Sequence, residues 1–200
     1  MIQTKEDLRE YLRWDKIALH KKQLKKPRFA RDEVWKYEII LRKTEYYTNN
    51  QQCVFNKVMY FFYKLRFHQM SVKLGFSIPL NVFDKGLSIA HYGSIVINDK
   101  AKIGKNCRIQ ENVTIGSTGG SEKAPKIGDN VFIASGARII GDITLADNIA
   151  VGANAVVTKS INEENVTVVG VPAKIVSTHG SDGFIDIESK EMYMQEKNMK

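Results

Sequence analysis

The stretch "APKIGDNVFIASGARIIGDITLADNIAVGANAVVTKSI", residues 124–161, has an aliphatic residue at every sixth position. The anchors of this series are Ile127, Ile133, Ile139, Leu145, Val151 and Val157. A second row of small or apolar side chains stands four residues after each of the first five anchors, from Val131 to Ala155. A period of six with one inward aliphatic side chain is typical of a three-sided coil of short parallel strands, in which residues eighteen apart stack.

The same series continues towards the amino terminus, with one interruption. Its further anchors are Ile97, Ile103, Ile109 and Ile115. Cys107 falls in the second inward row, so we interpret it as a core residue rather than a nucleophile. One anchor is missing where the segment "GSTGGSEKAPK" (116–126) stands. This segment either leaves the coil as a loop or forms one irregular side, and long loops in compact repeats are usually functional.

Residues 1–75 have a different composition, rich in Lys, Arg, Tyr and Phe. Apolar residues recur there at intervals of three or four, which predicts amphipathic helices in an N-terminal helical domain. The segment "TKED" (4–7) predicts a capping box, and Gly75 predicts a helix C-cap. The aromatic residues between Tyr46 and Tyr63 suit packing on the coil or on partner subunits. A peripheral membrane contact of these aromatic residues is left open.

The overall composition restricts the class of protein. Two hundred residues suit one domain with a helical appendage, and the net charge of +8 favours an anionic partner. No motif supports nucleic-acid binding, which we therefore do not expect. The first 25 residues are too charged for a signal sequence, and two cysteines indicate no disulfide framework. These features predict a cytoplasmic protein.

A lone histidine stands in the aliphatic segment "GLSIAHYGSIVI" (86–97). His91 occupies an anchor position of the six-residue series, yet a histidine is an unusual inward core residue. The pattern alone leaves both a structural and a catalytic histidine open. A zinc site would need about three histidine ligands, and His20, His68 and His179 lie outside the repeat. We therefore expect no metal site.

Four segments resemble the serine acetyltransferase family of hexapeptide-repeat acyltransferases. They are residues 86–98, 113–120, 124–161 and 168–176. The resemblance implies a mainly β fold, a left-handed parallel β-helix over residues 76–177, preceded by the α-helical domain 1–75. It also implies a protruding loop at 117–126 and a homotrimer, or a pair of trimers, with active sites between subunits. Residues 178–200 form a C-terminal tail outside the resemblance, either a flexible extension or a helix docking on a neighbour.

The same resemblance implies acetyl-CoA as co-substrate and a hydroxyl as acceptor. His91 is then the general base, because a neutral imidazole suits proton removal at cytoplasmic pH. The backbone of Gly119 or Gly120 is a candidate donor to the oxyanion. The candidate CoA-binding residues are Ser135, Ala153, Thr158, Lys159 and Lys174. Besides an acetyltransferase and a metal-dependent enzyme, we considered a catalytically inactive assembly protein. The presence of His91, the loop and Lys174 argues against that class.

Three departures from the family concern the acceptor. Ala90 stands where the family has Asp before the histidine, "FSIP" (76–79) replaces D-x-H-P, and Lys123-Ala124 replaces R-H. We therefore predict first a sugar hydroxyl on a polysaccharide precursor, with L-serine in cysteine biosynthesis as the alternative. The group that orients His91 is left open among Asn81, Asp84 and Glu111.

Overall fold

The computed structural model describes residues 1–199, in which three helices precede a coil of short strands and a fourth helix follows it. The helices are α1 (Lys5–Ala18), α2 (Glu33–Asn49), α3 (Val54–Leu74) and α4 (Ile187–Asn198). The strands are β1 (Phe76–Ser77), β2 (Ser88–Ile89), β3 (Ile95–Ile97), β4 (Lys102–Ile103), β5 (Arg108–Ile109), β6 (Val113–Gly116), β7 (Lys126–Ile127), β8 (Phe132–Ile133), β9 (Arg138–Ile140), β10 (Thr144–Leu145), β11 (Ala150–Val151), β12 (Val156–Val157), β13 (Thr167–Gly170) and β14 (Ala173–Ser177).

The strands form the three faces of a β-helix. The first face contains β1-β3-β6-β9-β12, the second β10-β7-β4, and the third β14-β13-β11-β8-β5-β2. Pairing is parallel except between β13 and β14. From β7 to β12, partners are eighteen residues apart, as for Val151 and Ile133, which confirms the predicted stacking. The partners of β11 and β13 are seventeen apart, as for Val151 and Val168. Across the loop they are twenty-four apart, as for Ile133 and Ile109, because one hexad has left the coil.

The extra hexad leaves the coil between the first and second faces. Lys126 pairs with Lys102 and opens β7, so the loop occupies residues 117–125, one residue less than predicted. Its tip is open, because a Cβ added to Gly119 or Gly120 would meet no atom within 4 Å. Lys123 Nζ lies 2.9 Å from Asp142 Oδ2, which ties the returning limb of the loop to the coil.

The anchors fill the interior of the β-helix. Ile109, Ile133 and Ile139 are fully buried and stack with the other anchors in one hydrophobic cluster. Cys107 lies in the same cluster, where burial raises the pKa of its thiol to about 12. A thiol in this environment stays protonated and unreactive, as expected of a core residue. Each coil contributes aliphatic side chains that only the next coil can cover.

Asparagine side chains form a ladder along one corner of the β-helix. Asn106, Asn130 and Asn148 adopt positive φ angles of 54°, 54° and 60°, which asparagine tolerates better than most residues. Asn106 Nδ2 donates to Asn130 Oδ1 at 3.0 Å, and Asn130 Nδ2 donates to Asn148 Oδ1 at 3.1 Å. The ladder pairs the side-chain amides where the chain turns between the second and third faces, and Asn106 Oδ1 at its end is buried without a hydrogen-bond partner among the described residues.

The N-terminal helices cover the open edge of the first coil. Thr4 and Asp7 form the predicted capping box of α1, and Gly75 ends α3 at a φ of 79°. Tyr37 on α2 packs edge-on against Phe76 of β1, with ring centroids 4.9 Å apart. Buried carboxylates of α1 and α2 accept hydrogen bonds from backbone N–H groups of residues 81–89. A strand edge without a partner strand therefore finds its acceptors in the helical region.

The C-terminal segment folds back onto its own chain. Phe184 stacks on Phe132 of the third face, with ring centroids 4.3 Å apart. Asn106 Nδ2 donates to the carbonyl of Ser189 at 3.0 Å. Glu196 on α4 contacts Lys105 at 2.8 Å and Lys85 at 2.9 Å. We predicted either a flexible extension or a helix docking on a neighbour, whereas the observed helix docks on its own chain. The contacts that hold α4 are mostly polar, and polar contacts leave no periodic pattern in the sequence.

Candidate active site

His91 lies at the corner between the third and first faces, directly after β2. Ile89 pairs with Ile109, Ile109 with Ile133, and Ile133 with Val151. The positions two residues later are therefore equivalent, and we call them the corner column. The corner column consists of His91, Glu111, Ser135 and Ala153. The histidine is exposed, so the anchor position it holds in the sequence is not an inward one.

Glu111 is the carboxylate next to His91 in the corner column. Ser135 Oγ donates to Glu111 Oε1 at 2.7 Å, and Ser135 N donates to Gln110 Oε1 at 2.9 Å. The pKa of Glu111 lies below its usual range, chiefly because of the Ser135 hydroxyl, with further contributions from its own backbone N–H and from His91. Its other oxygen, Oε2, is buried without a hydrogen-bond partner among residues 1–199.

The other two candidates for orienting His91 are engaged elsewhere. Asp84 Oδ1 accepts from the Tyr11 hydroxyl at 2.7 Å and from Lys85 N at 2.7 Å. Asn81 exchanges side-chain hydrogen bonds with Asn49 at 3.1 and 3.2 Å. Both residues precede β2 and lie at the helical edge of the first coil. Of the three candidates, Glu111 is the one that shares the corner column with His91.

A cleft of about 240 Å³ adjoins His91. Its floor is the third face around β2 and β5, and its other wall is the connection between α1 and α2 together with the start of α2. The lining residues are Leu19, His20, Lys21, Arg31, Asp32, Glu33, Val34, Trp35, Ser88, Ile89, Ala90, His91, Tyr92 and Arg108. A space of this size is small for a ligand pocket and suits an amino acid or a single sugar ring.

The unpaired charge in this cleft is positive. Asp32 contacts Arg28 at 2.9 Å and Lys21 at 2.8 Å, which holds the pKa of its carboxyl well below the usual range. Glu33 contacts Lys36 at 3.1 Å. Arg31 and Arg108, in contrast, have no carboxylate within salt-bridge distance in the part of the chain that the structure describes. The cleft therefore favours a ligand that carries a carboxylate or another anion.

The sequence did not predict Arg108 as a residue of the site. It lies on β5 beside β2, and its Nη1 donates to Ser88 Oγ at 3.3 Å. The same nitrogen lies 3.5 Å from His20 Nε2, and His20 Nδ1 lies 2.8 Å from Asp186. The outward position before an anchor is a normal place for an arginine. Residues 20, 108 and 186 are distant in the sequence and meet only in the fold, so no local pattern could predict their contact.

The candidate CoA-binding residues fall into two groups. Ser135 and Ala153 belong to the corner column. Lys174 pairs with Val169 in the hairpin of β13 and β14, which ends the third face. Thr158 and Lys159 follow β12, at the corner between the first and second faces.

The loop glycines share that second corner. Gly119 and Gly120 follow β6, which also belongs to the first face. The first face thus separates His91 from Gly119, Gly120, Thr158 and Lys159 within one chain. One chain alone therefore does not assemble all the predicted site residues.

The repeat matches a known protein family. Residues 124–159 match the family described as "Bacterial transferase hexapeptide (six repeats)". The matched residues are the coils that follow the loop. The chain is also 44% identical over 96 residues to a serine acetyltransferase of Staphylococcus xylosus, an alignment that covers 47% of this chain and 44% of that protein. A serine acetyltransferase of Staphylococcus aureus (strain N315) is 43% identical over 98 residues, covering 48% and 46%. The chain spans less than half the length of these curated relatives.

Solved structures extend the likeness to the helical region. Serine acetyltransferase from Brucella abortus strain S19 in complex with coenzyme A superimposes with a TM-score of 0.67 and 27% identity, over 88% of this chain and 70% of that one. The Neisseria gonorrhoeae enzyme in complex with serine gives a TM-score of 0.61 and 25% identity, over 86% and 70%. The fold is thus a left-handed parallel β-helix of hexapeptide repeats with N-terminal helices, as predicted.

Residues 1–199 contain neither a cluster of metal-ligating side chains nor a membrane-spanning helix. No group of three or more His, Cys, Asp or Glu side chains is arranged to hold a metal ion. None of the helices there has the length and apolar character needed to cross a bilayer.

Proposed function

We propose that this chain is an acetyl-CoA-dependent O-acetyltransferase with His91 as its general base. The corner column carries this proposal, because it presents an exposed imidazole beside an ionised carboxylate at the edge of a small cleft. The relatives named above are serine acetyltransferases, one of them solved with coenzyme A, which supports acetyl-CoA as the donor. We place the enzyme in the cytoplasm on its cysteine content alone.

The reaction moves one acetyl group and one proton. His91 removes the proton of the acceptor hydroxyl as its oxygen attacks the thioester carbon. The bond between that carbon and sulfur then breaks, and the histidine returns the proton to the departing thiolate. Glu111 stabilises the intervening imidazolium by its negative charge, without touching the reacting atoms.

The donor site is proposed to lie between two copies of the chain. One copy supplies His91, Ser135 and Ala153 from the corner column, and Lys174 from the hairpin of β13 and β14. A second copy supplies Thr158, Lys159 and the loop with Gly119 and Gly120 from its other corner. Backbone N–H groups of the loop then face the oxyanion, and the lysines face the phosphates of CoA. A homotrimer, alone or paired with a second one, closes such sites, and this assembly is part of the proposal.

L-serine is the acceptor that the relatives support best. The cationic side chains of Arg31 and Arg108 in the cleft suit its carboxylate. The sugar hydroxyl that we predicted first has no support from the relatives named above. It stays a second candidate because the ammonium group of serine lacks an evident partner. Ala90 supplies no carboxylate beside His91, and the acids of the cleft, Asp32 and Glu33, are already paired.

Thiol release from acetyl-CoA tests the acceptor. We expect turnover with L-serine to exceed that with a panel of neutral and acidic sugars. Two analogues sharpen the test: 3-hydroxypropionate keeps the carboxylate and lacks the ammonium group, whereas serinamide does the reverse. Because the unpaired charge of the cleft is positive, 3-hydroxypropionate should react faster than serinamide. Turnover confined to sugars would favour the second candidate, and no thiol release with any acceptor would refute acetyl transfer.

The role of Glu111 is tested by Glu111→Gln. We expect kcat to fall by about 10-fold to 100-fold, a part of the effect of losing the base itself. The KM for acetyl-CoA should change little, because Glu111 acts on the imidazolium formed during the reaction and not on the bound donor. Ser135→Ala is the matched control, since it removes the hydrogen bond to Glu111 and keeps the carboxylate. An unchanged kcat in Glu111→Gln would show that Glu111 does not assist His91.

A further inference from the structure

Helix α3 packs on the rest of the chain along one side. Tyr63 stacks on Tyr47 of α2 with ring centroids 5.3 Å apart, and Phe67 stacks on Tyr37 at 5.6 Å. Leu74, at the end of the helix, is buried in the core of the β-helix. This inner side of α3 accounts for one set of its apolar residues, spaced three or four apart as a packed helix face requires.

The opposite side of α3 is also apolar, and it is exposed. We call it the outer stripe. It consists of Val54, Phe55, Val58, Phe61, Phe62, Leu65 and Val72. Val54 is 77% exposed, Phe61 73% and Val72 70%. From Val54 to Leu65 the stripe runs roughly 17 Å along the helix at about 1.5 Å per residue, and Val72 lies beyond the exposed polar residues His68 and Gln69. Single exposed apolar residues are common on protein surfaces, but six of them clustered on one side of a helix mark an interaction surface.

Cations border the outer stripe on both sides. Lys57 and Lys64 lie along one border, and Arg66 and Lys73 lie along the other, as their positions on a 3.6-residue turn require. Helix α3 contains no Asp or Glu. Lys57, Lys64 and Arg66 have no carboxylate within salt-bridge distance among the described residues, and Lys73 contacts Glu33 only at 3.8 Å. The charges along this surface are therefore left largely unneutralised.

We propose that α3 docks on an anionic membrane surface. Aromatic and aliphatic side chains of the outer stripe would enter the boundary between headgroups and acyl chains, while the bordering lysines and Arg66 reach the lipid phosphates. Charge complementarity selects this occupant. Two outer stripes from two copies of the chain would bring basic borders against basic borders, and like charges across an interface oppose association. The helix lies on such a surface and does not cross it.

Co-sedimentation of the full chain with vesicles tests this docking surface. We expect binding to phosphatidylcholine vesicles containing 30% phosphatidylglycerol, and none or far less to pure phosphatidylcholine. Added salt should weaken the binding, because it screens the exposed charges. The triple variant Lys57→Gln, Lys64→Gln, Arg66→Gln should lower the partition coefficient by about 10²-fold, since each cation near an anionic surface contributes roughly fivefold. The double variant Phe61→Ser, Leu65→Ser should lower it at least as much.

Matched controls separate this surface from other exposed groups. Phe29→Ser removes an aromatic side chain that is 97% exposed outside α3, and should leave vesicle binding unchanged. Equal binding of the unsubstituted chain to both kinds of vesicle, or no binding to either, would overturn the proposal. A fall in oligomeric mass of the Phe61→Ser, Leu65→Ser variant, with vesicle binding unaltered, would show instead that a second copy covers the stripe. None of these outcomes depends on acetyl transfer.

Discussion

His91→Ala should lower the turnover of acetyl-CoA by about 10²–10⁴-fold, the range expected for losing a positioned acid–base group. The acceptor hydroxyl is a poor nucleophile until a base takes its proton, and the corner column presents one imidazole for this purpose. Thiol release under single-turnover conditions gives the rate of the chemical step. Calorimetric titration with CoA should show unchanged affinity, because the donor is held mainly by other residues of the site.

A second histidine serves as the control for this prediction. His179 is exposed and lies after β14, away from the corner column, so His179→Ala should retain full turnover. If His91→Ala turned over acetyl-CoA as fast as the unsubstituted chain, His91 would be a surface residue without a catalytic role. The left-handed coil would then stand and the proposed mechanism would fall.

The second large effect is on stability, and it concerns Arg42. Its side chain is fully buried, with Nε 2.7 Å from Asp15 Oδ2 and Nη1 3.1 Å from Glu45 Oε2. It also donates to the carbonyls of Phe83 at 2.9 Å and Asp84 at 2.7 Å. We expect Arg42→Leu to cost about 3–5 kcal/mol, because it leaves buried carboxylates and carbonyls without a partner. The unfolding transition in urea, followed by circular dichroism, measures this loss.

Two other variants define the cause of that loss. Arg9→Leu breaks an exposed ion pair with Glu6 and should leave the urea midpoint unchanged. Glu38→Gln removes a buried carboxyl whose pKa is raised by burial and by the charge of Asp15. A raised folded pKa means that ionising Glu38 destabilises the fold as pH rises, so Glu38→Gln should not weaken it at neutral pH. A stable Arg42→Leu variant would show that the network is not required for the fold.

The β-helix was predictable because its signal is local and repeated. Every sixth residue faces inward, so the anchors from Ile97 to Val157 specify strand, turn and stacking together. The exposed position of His91 was harder to predict from the sequence. Its position in the six-residue series is an inward one elsewhere, and a histidine suited that position poorly. In the structure β2 ends at Ile89, and residue 91 lies at the corner of the coil.

The helical region was predicted in kind and not in its contacts. Asp15, Glu38, Arg42 and Glu45 read as ordinary helix-surface charges, yet all four are buried, because the first coil presents backbone groups that need partners. Periodicity could not decide which apolar side of α3 packs, since both sides carry apolar residues. Tyr46 and Tyr63 lie inward as core packing predicts, whereas Phe61 and Phe62 lie outside.

In the proposed donor site, acetyl-CoA lies along the corner column with its thioester at His91. A crystal structure of the full chain with CoA would locate the donor. We predict the thiol sulfur within hydrogen-bond reach of the His91 imidazole, with the pantetheine arm running past Ser135 and Ala153 between two copies of the chain. CoA bound on another surface, with its sulfur far from His91, would contradict the account.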